Sequence, residues 1–141
     1  MEATLLEILN NTKFITVSTV CADGSPWATP IGWFAFDGGN IVFDNRQGTI
    51  HAENLARDNR CFIAIVNYDK PRSRAVYVPT RATKLSGVAY EKAKTLILNK
   101  GLDVTDDIFS APIGKIDEAK SKIGAVAGKD RFHCYMKGDT V

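Results

Sequence analysis

The residues whose types and spacing could do chemistry are concentrated in one run, Ile41-Val42-Phe43-Asp44-Asn45-Arg46-Gln47-Gly48-Thr49-Ile50-His51-Ala52-Glu53-Asn54-Leu55. It reads as a strand, a glycine-containing turn and the start of a helix. A helix N-terminus carries free backbone N–H groups and the positive end of the dipole, which together favour an anion. The Thr49 hydroxyl can donate to a phosphate oxygen. Arg46 brings positive charge, and His51 does so when protonated. The same residues also allow a plainer reading, with Thr49 as a simple N-cap and Arg46 as a solvated loop residue. Both readings stand on this run alone.

The other reactive side chains are sparse. His51 and His133 are the only histidines, too few for a histidine-rich metal site. His133 reads as a strand residue at a surface or dimer interface, with haem ligation as the alternative, since one histidine suffices for that. Cys21, Cys61 and Cys134 are odd in number and widely spaced, with no CxxC pair, so zinc and dithiol chemistry are not indicated. Cys61 and Cys134 sit in apolar runs and read as small core residues. Cys21 adjoins a turn without a histidine nearby in sequence. Trp27 and Trp33, six positions apart, fall on one face of a single strand by the period of two. They either pack in a core or dimer interface or wall a planar ring. There is no Ser-His-Asp order, P-loop or dinucleotide-binding fingerprint.

These residues need elements to position them. Glu2 to Leu9 carries a helical stripe. Phe14 to Val20 alternates as a strand, with Ile15 and Val17 on one face and Thr16 and Ser18 on the other. Asp23-Gly24 is a turn, and Trp27 to Phe36 returns as a second strand in which Pro30 marks an edge or a break. Asp37 to Asn40 turns into a third strand, Ile41 to Asp44. Ile50 to Asp58 is helical. Cys61 to Val66 reads as a strand buried on both faces. Tyr68 to Arg74 is a polar loop, Ala75 to Leu85 a strand, and Ala89 to Lys100 a helix with Ala93, Leu96 and Ile97 inward. Residues 102–130 read as two short helices broken by Pro112 and glycines, and Arg131 to Lys137 as a last strand. The 141 residues suit one domain, 1–141, with strands early and helices late. That suggests a barrel or the α+β class rather than a doubly wound sheet.

Composition narrows the function. Hydrophobic residues make up 45% and charged residues 24%, ordinary for a globular protein. A net charge of +2, scattered among acidic residues, gives no concentrated basic face for nucleic acid or an anionic membrane. No apolar run approaches ~18 residues, and the first residues lack the basic start of a signal peptide, so the cytoplasm is expected.

The run IVFDNRQGTIHAENLARDNRCFIAIV resembles the flavin-phosphate segment of the pyridoxamine phosphate oxidase-like split barrels. That family's pattern has matching pieces in Val42-Phe43, Gly48-Thr49, Ile50-His51, Asn54-Leu55, Asp58-Asn59-Arg60 and Cys61 to Val66, without a gap. Upstream, Asp23-Gly24-Ser25-Pro26 and Thr29-Pro30 are similar to its opening hairpin. The resemblance covers roughly residues 1–90. It implies a mainly β, antiparallel split barrel of about six strands with peripheral helices, and FMN at the interface of a homodimer. Thr29, Pro30, Ile31, Gly32 and Trp33 would flank the isoalloxazine or ribityl chain, Asp44 and Asn45 would lie beside the flavin, and Thr49, Ile50 and His51 at the phosphate.

The chain departs from the pattern in its cations. The basic pair after the Ser/Thr is Ile50-His51 here, and the upstream Arg and Lys positions fall near Thr29 and Phe34. Arg46, Arg72 and Arg74 are the candidates to replace them. The expected function is an FMN-dependent oxidoreductase acting on a small molecule, with neither nucleic acid nor membrane as partner. The alternatives are a non-catalytic flavin-binding or electron-transfer module, a deazaflavin (F420) or haem protein on the same fold, and a dimer that has lost its cofactor. A deazaflavin tail would call on Lys70, Arg72, Arg74, Arg81 and Lys84. Pyridoxamine phosphate oxidase itself carries an Arg- and His-bearing substrate segment with no clear match in residues 131–141.

Overall fold

The computed structural model describes residues 8–67, 73–104, 106–113, 115–117 and 131–137. In β1 (Ile15–Val20), Ile15, Val17 and Thr19 are buried while Thr16, Ser18 and Val20 are half-buried. This is the expected alternation of a strand with one face on a core. Asp23 shapes the following turn by accepting from Ser25 N at 3.0 Å. β2 (Pro26–Ile31) then runs back antiparallel, with Val17 opposite Thr29 and Thr16 opposite Pro30. β2 is the outermost strand of its sheet, which is where a residue without an N–H can sit.

The second strand, expected to run on to Phe36, stops instead at Ile31, and the chain crosses at Gly32–Trp33 into a second sheet, beginning with β3 (Phe34–Phe36). Trp27 and Trp33 therefore do not share a strand face. β4 (Asn40–Asn45) follows, then α1 (Ile50–Arg57), β5 (Arg60–Asn67) and β6 (Ser73–Arg81). β5 is buried at Cys61, Ile63 and Ile65 but only half-buried at Phe62, Ala64 and Val66, so one of its faces, rather than both, is fully covered. A second crossing at Ala82, whose N–H donates to Asn59 O at 2.9 Å, splits the expected strand Ala75 to Leu85 into β6 and β7 (Thr83–Lys84).

α2 (Gly87–Leu98) buries Ala93 and Ile97, as its spacing predicts; Leu96 is half-buried. Strands β8 (Asp107–Pro112) and β9 (Lys115–Asp117) stand where two short helices were expected. Phe109 and Ala111 face the barrel core and Ile108 faces α2, so burial on both faces of a strand paired with β4 outweighs the helix-breaking reading of Pro112. β10 (Arg131–Lys137) is the expected last strand. At the end of the expected stripe Glu2 to Leu9, Ile8 and Leu9 are buried in the core. Positions 2–7 of that stripe and positions 68–72 of the polar loop lie outside the described residues.

The two sheets run β2-β1-β5-β6-β10-β9 and β3-β4-β8-β7. β10 pairs parallel to β6, and every other pairing described is antiparallel. This is the mainly β split barrel with peripheral helices. Its core joins Ile15, Val17, Ile63 and Ile65 of one sheet to Ile41 and Phe43 of the other. Each such fully buried side chain contributes about 1.5–3 kcal/mol. A second cluster lies under α2, where Val42 and Ile108 meet Ala93 and Ile97. α1 packs against β1 and β2, and its Asn54 Nδ2 donates to Thr19 Oγ1 at 3.0 Å. The start of α1 is thereby held where β4 ends.

Candidate functional site

The turn from β4 into α1 depends on Gly48, whose φ of +83° lies in the left-handed region that residues with a Cβ avoid. Thr49 follows in extended backbone and caps the helix: its Oγ1 accepts from Ala52 N at 3.3 Å and donates to Arg46 O at 2.7 Å. The cap therefore does what sequence alone allowed it to do. The backbone amides of Ile50 and His51 have no hydrogen-bond partner among the described residues. Those two N–H groups are what the helix start offers to an anion.

Three side chains surround them. The Arg46 guanidinium lies 4.8 Å from the centroid of the Trp33 ring and makes no ion pair among the described residues. Trp33 is 37% exposed, so this stack leaves the cation able to turn to a ligand. His51 Nε2 is 3.4 Å from Thr49 Oγ1. His51 is buried, and burial pushes its pKa below the ordinary 6.5. At neutral pH it is therefore an uncharged hydrogen-bonding group rather than a cation. Asp44 N donates to Trp33 O at 2.9 Å, so Trp33, Asp44, Arg46, Thr49, Ile50 and His51 form one contiguous patch.

Asp44 and Asn45 do not act side by side. Strand alternation puts Asp44 on the face of Val42 and Asn45 on the face of Phe43. Asp44 is 5% exposed and its Oδ1 is buried without a partner. Burial raises its pKa, reinforced by Asp106 and Asp107 and opposed by Arg46. Asn45 Oδ1 is likewise buried and unpartnered, but it lines a different cleft, between α1 and β7. On β2, Thr29 faces the same side as Val17 and Thr19, the side α1 packs on, and its Oγ1 has no partner. Pro30 is exposed and Ile31 is sunk in the core, so Ile31 can offer a ligand only its backbone. Gly32 lies against Phe14: a Cβ there would come within 3.2 Å of that ring.

One cation escaped the sequence reading. Lys100, just past α2, donates from Nζ to Phe34 O at 2.7 Å and lies 3.9 Å from the Phe34 ring centroid. Burial lowers its pKa. It thus puts an ammonium beside one of the two positions where the expected cation is missing. With 66 positions between them, no local signal could reveal the pairing. Among the other candidates, Arg72 and the side chain of Arg74 lie outside what is described, as do the side chains of His133 and Cys134. Cys61 is a core residue whose thiol burial pushes up to about 12, and Cys21 is half-buried, its Sγ 3.5 Å from Asn54 Nδ2. No group of three or more metal-ligating side chains occurs among the described residues. No described helix is long and apolar enough to cross a membrane.

The family model for pyridoxamine 5′-phosphate oxidase matches residues 1–99. No curated protein matches the sequence. Among solved structures, HupZ of Group A Streptococcus is similar at 20% identity, with a TM-score of 0.66 over 82% of this chain and 90% of that one. A heme binding protein from Mycobacterium smegmatis is 25% identical, with a TM-score of 0.63 over 77% of this chain and 49% of its own. HutZ, the heme storage protein of Vibrio cholerae, is 15% identical, with a TM-score of 0.66 over 79% of this chain and 88% of its own.

Proposed function

The chain belongs to the pyridoxamine 5′-phosphate oxidase family, and from that premise we propose that it is an FMN-binding oxidoreductase, active as a homodimer in the cytoplasm. The observation that carries the reading is the patch at the start of α1: two free amides and a guanidinium with no ion pair among the described residues lie there beside Trp33, on a helix start that Thr49 caps. That donor set suits a phosphate dianion. The orphaned oxygens support a larger ligand in the same region. Thr29 Oγ1 and Asp44 Oδ1 are buried without partners, a costly state for polar atoms unless something meets them. The residues therefore fit a flavin mononucleotide. The amides of Ile50 and His51 and the Arg46 guanidinium would hold the phosphate, Thr49 would fix the helix start that presents them, and Thr29, Gly32 and Trp33 would flank the ribityl chain and ring.

A bound flavin would supply hydride or electron transfer. The protein's part is to bind, orient and keep water out. Asp44, whose pKa burial raises, can bond to the ligand through its carboxyl group. Neutral His51 can do the same through its two ring nitrogens. The substrate is a small molecule.

The exposed edge supports the homodimer. β2 is exposed at Pro26, Trp27, Ala28 and Pro30, and Phe14, Trp33 and Ile50 around it are 60%, 37% and 44% exposed. An unpaired edge strand ringed by large apolar side chains calls for a cover. A second copy of the same patch would provide it and enclose the cofactor.

Haem is the second reading. It is favoured by the buried, neutral imidazole of His51, the form in which histidine ligates a metal. Two of the similar structures are named as heme proteins, and deazaflavin is the third reading. The absorption spectrum separates them: protein incubated with slight excess FMN and desalted should keep a band near ~450 nm, against ~420 nm for deazaflavin and a Soret band for haem. Protein that emerges colourless from FMN sinks the flavin reading.

A further inference from the structure

We infer that the cleft on the opposite flank of α1 binds a small organic cation, an ammonium or guanidinium group carried on a compact apolar body. This inference does not rest on the flavin reading. The helix divides the two regions: His51 and Asn54 face β1, while Ala52, Glu53 and Ala56 line the cleft. The cleft has a volume of about 580 Å³, within the ~300–1,000 Å³ common for small-molecule sites.

Its floor is apolar and rigid. Leu55, Ala82 and Phe109 meet there, each less than a tenth exposed. Its walls carry acceptors: the Asn45 amide oxygen and the carboxylates of Glu53 and Asp107, beside the neutral side chains of Gln47, Asn59 and Thr83. Asn45 is 3% exposed, and its Oδ1 is buried without a partner. Glu53 has no side-chain partner among the described residues. The one basic residue lining the cleft among the described residues, Lys84, is already engaged, with Nζ 3.3 Å from Asp107 Oδ2. Glu53 and Asp107 against Lys84 leave one net negative charge. An anionic ligand would meet two carboxylates and a lysine that is taken. A purely apolar ligand would gain nothing from the Asn45 oxygen or the Glu53 carboxylate. A cationic donor with an apolar body satisfies the floor, the amide oxygen and the free carboxylate together.

The test is a titration of the full-length protein, followed by NMR chemical shifts, with benzylamine, benzyl alcohol and benzoate as probes at low salt. Benzylamine is expected to bind about tenfold or more tighter than benzyl alcohol, with benzoate weakest. Glu53→Gln, an exposed and nearly isosteric change, should reduce that preference about three- to fivefold. Ala56→Trp, which fills the cleft from an exposed position, should abolish binding. Equal affinities for benzylamine and benzyl alcohol, no binding at all, or benzylamine binding that survives Ala56→Trp would overturn the inference. If Ala56→Trp does not fold, an unchanged preference in Glu53→Gln overturns it equally.

Discussion

Replacing Arg46 by alanine isolates the phosphate half of the proposed cofactor site. Arg46 is the only unpaired fixed cation described beside the start of α1, and it rests over Trp33 at 4.8 Å. A hydrogen bond to a charged group is worth about 1.5–3 kcal/mol net. Arg46 is an exposed residue, so solvent screening places it at the lower end, about 1.5 kcal/mol, or roughly tenfold in affinity. Riboflavin, which lacks the phosphate, should lose little: the stack on Trp33 is worth only about 0.5–1 kcal/mol. The assay is quenching of flavin fluorescence, with FMN and riboflavin titrated into both proteins. The ratio of FMN to riboflavin affinity should collapse about tenfold in Arg46→Ala, and in the parent protein it should fall as salt is added. Equal loss for both ligands, or an unchanged ratio, would refute the assignment of Arg46 to a phosphate.

Trp27→Glu puts a charge on the exposed edge strand β2, and sedimentation should show the dimer giving way to monomer while the far-ultraviolet circular dichroism holds. Phe43→Ala removes a side chain that is 0% exposed and lies 6.3 Å from Phe109; urea unfolding should show a loss of about 3–5 kcal/mol. His51 sets a pH dependence. Its native pKa is lowered by burial, so the unfolded chain takes up the proton first: stability is full above the ordinary 6.5 and falls as pH drops below it. In His51→Gln, Tm measured across that range should lose this slope. Asp44 acts in the other sense, because its raised native pKa means that stability is lost as pH rises through the ordinary carboxylate range toward that value.

The parts of this structure that sequence revealed are those governed by local rules. Thr49 capping α1, the inward Ala93 and Ile97 of α2, and the alternation of Ile15, Val17 and Thr19 each follow from a spacing within one element. What stayed hidden depends on the sheets as a pair. Nothing local announces that the chain changes sheets at Gly32 and Ala82, since the residues on both sides keep their strand character. That crossing separated Trp33 from Trp27 and seated it against Arg46 instead. The β8 segment was misread because its partner, β4, is more than sixty positions away. The same distance hid Lys100 at Phe34. Asp44 and Asn45 were grouped by adjacency although strand geometry sends neighbours to opposite faces, and Asn45 belongs to the cleft.

Sedimentation velocity of the protein with equimolar FMN, recorded at 280 nm and at about 450 nm, tests the central claim most directly. Both signals should move together at the rate of a dimer, with one flavin for each protomer. Flavin that stays behind at the rate of the free molecule while the protein sediments alone would contradict it.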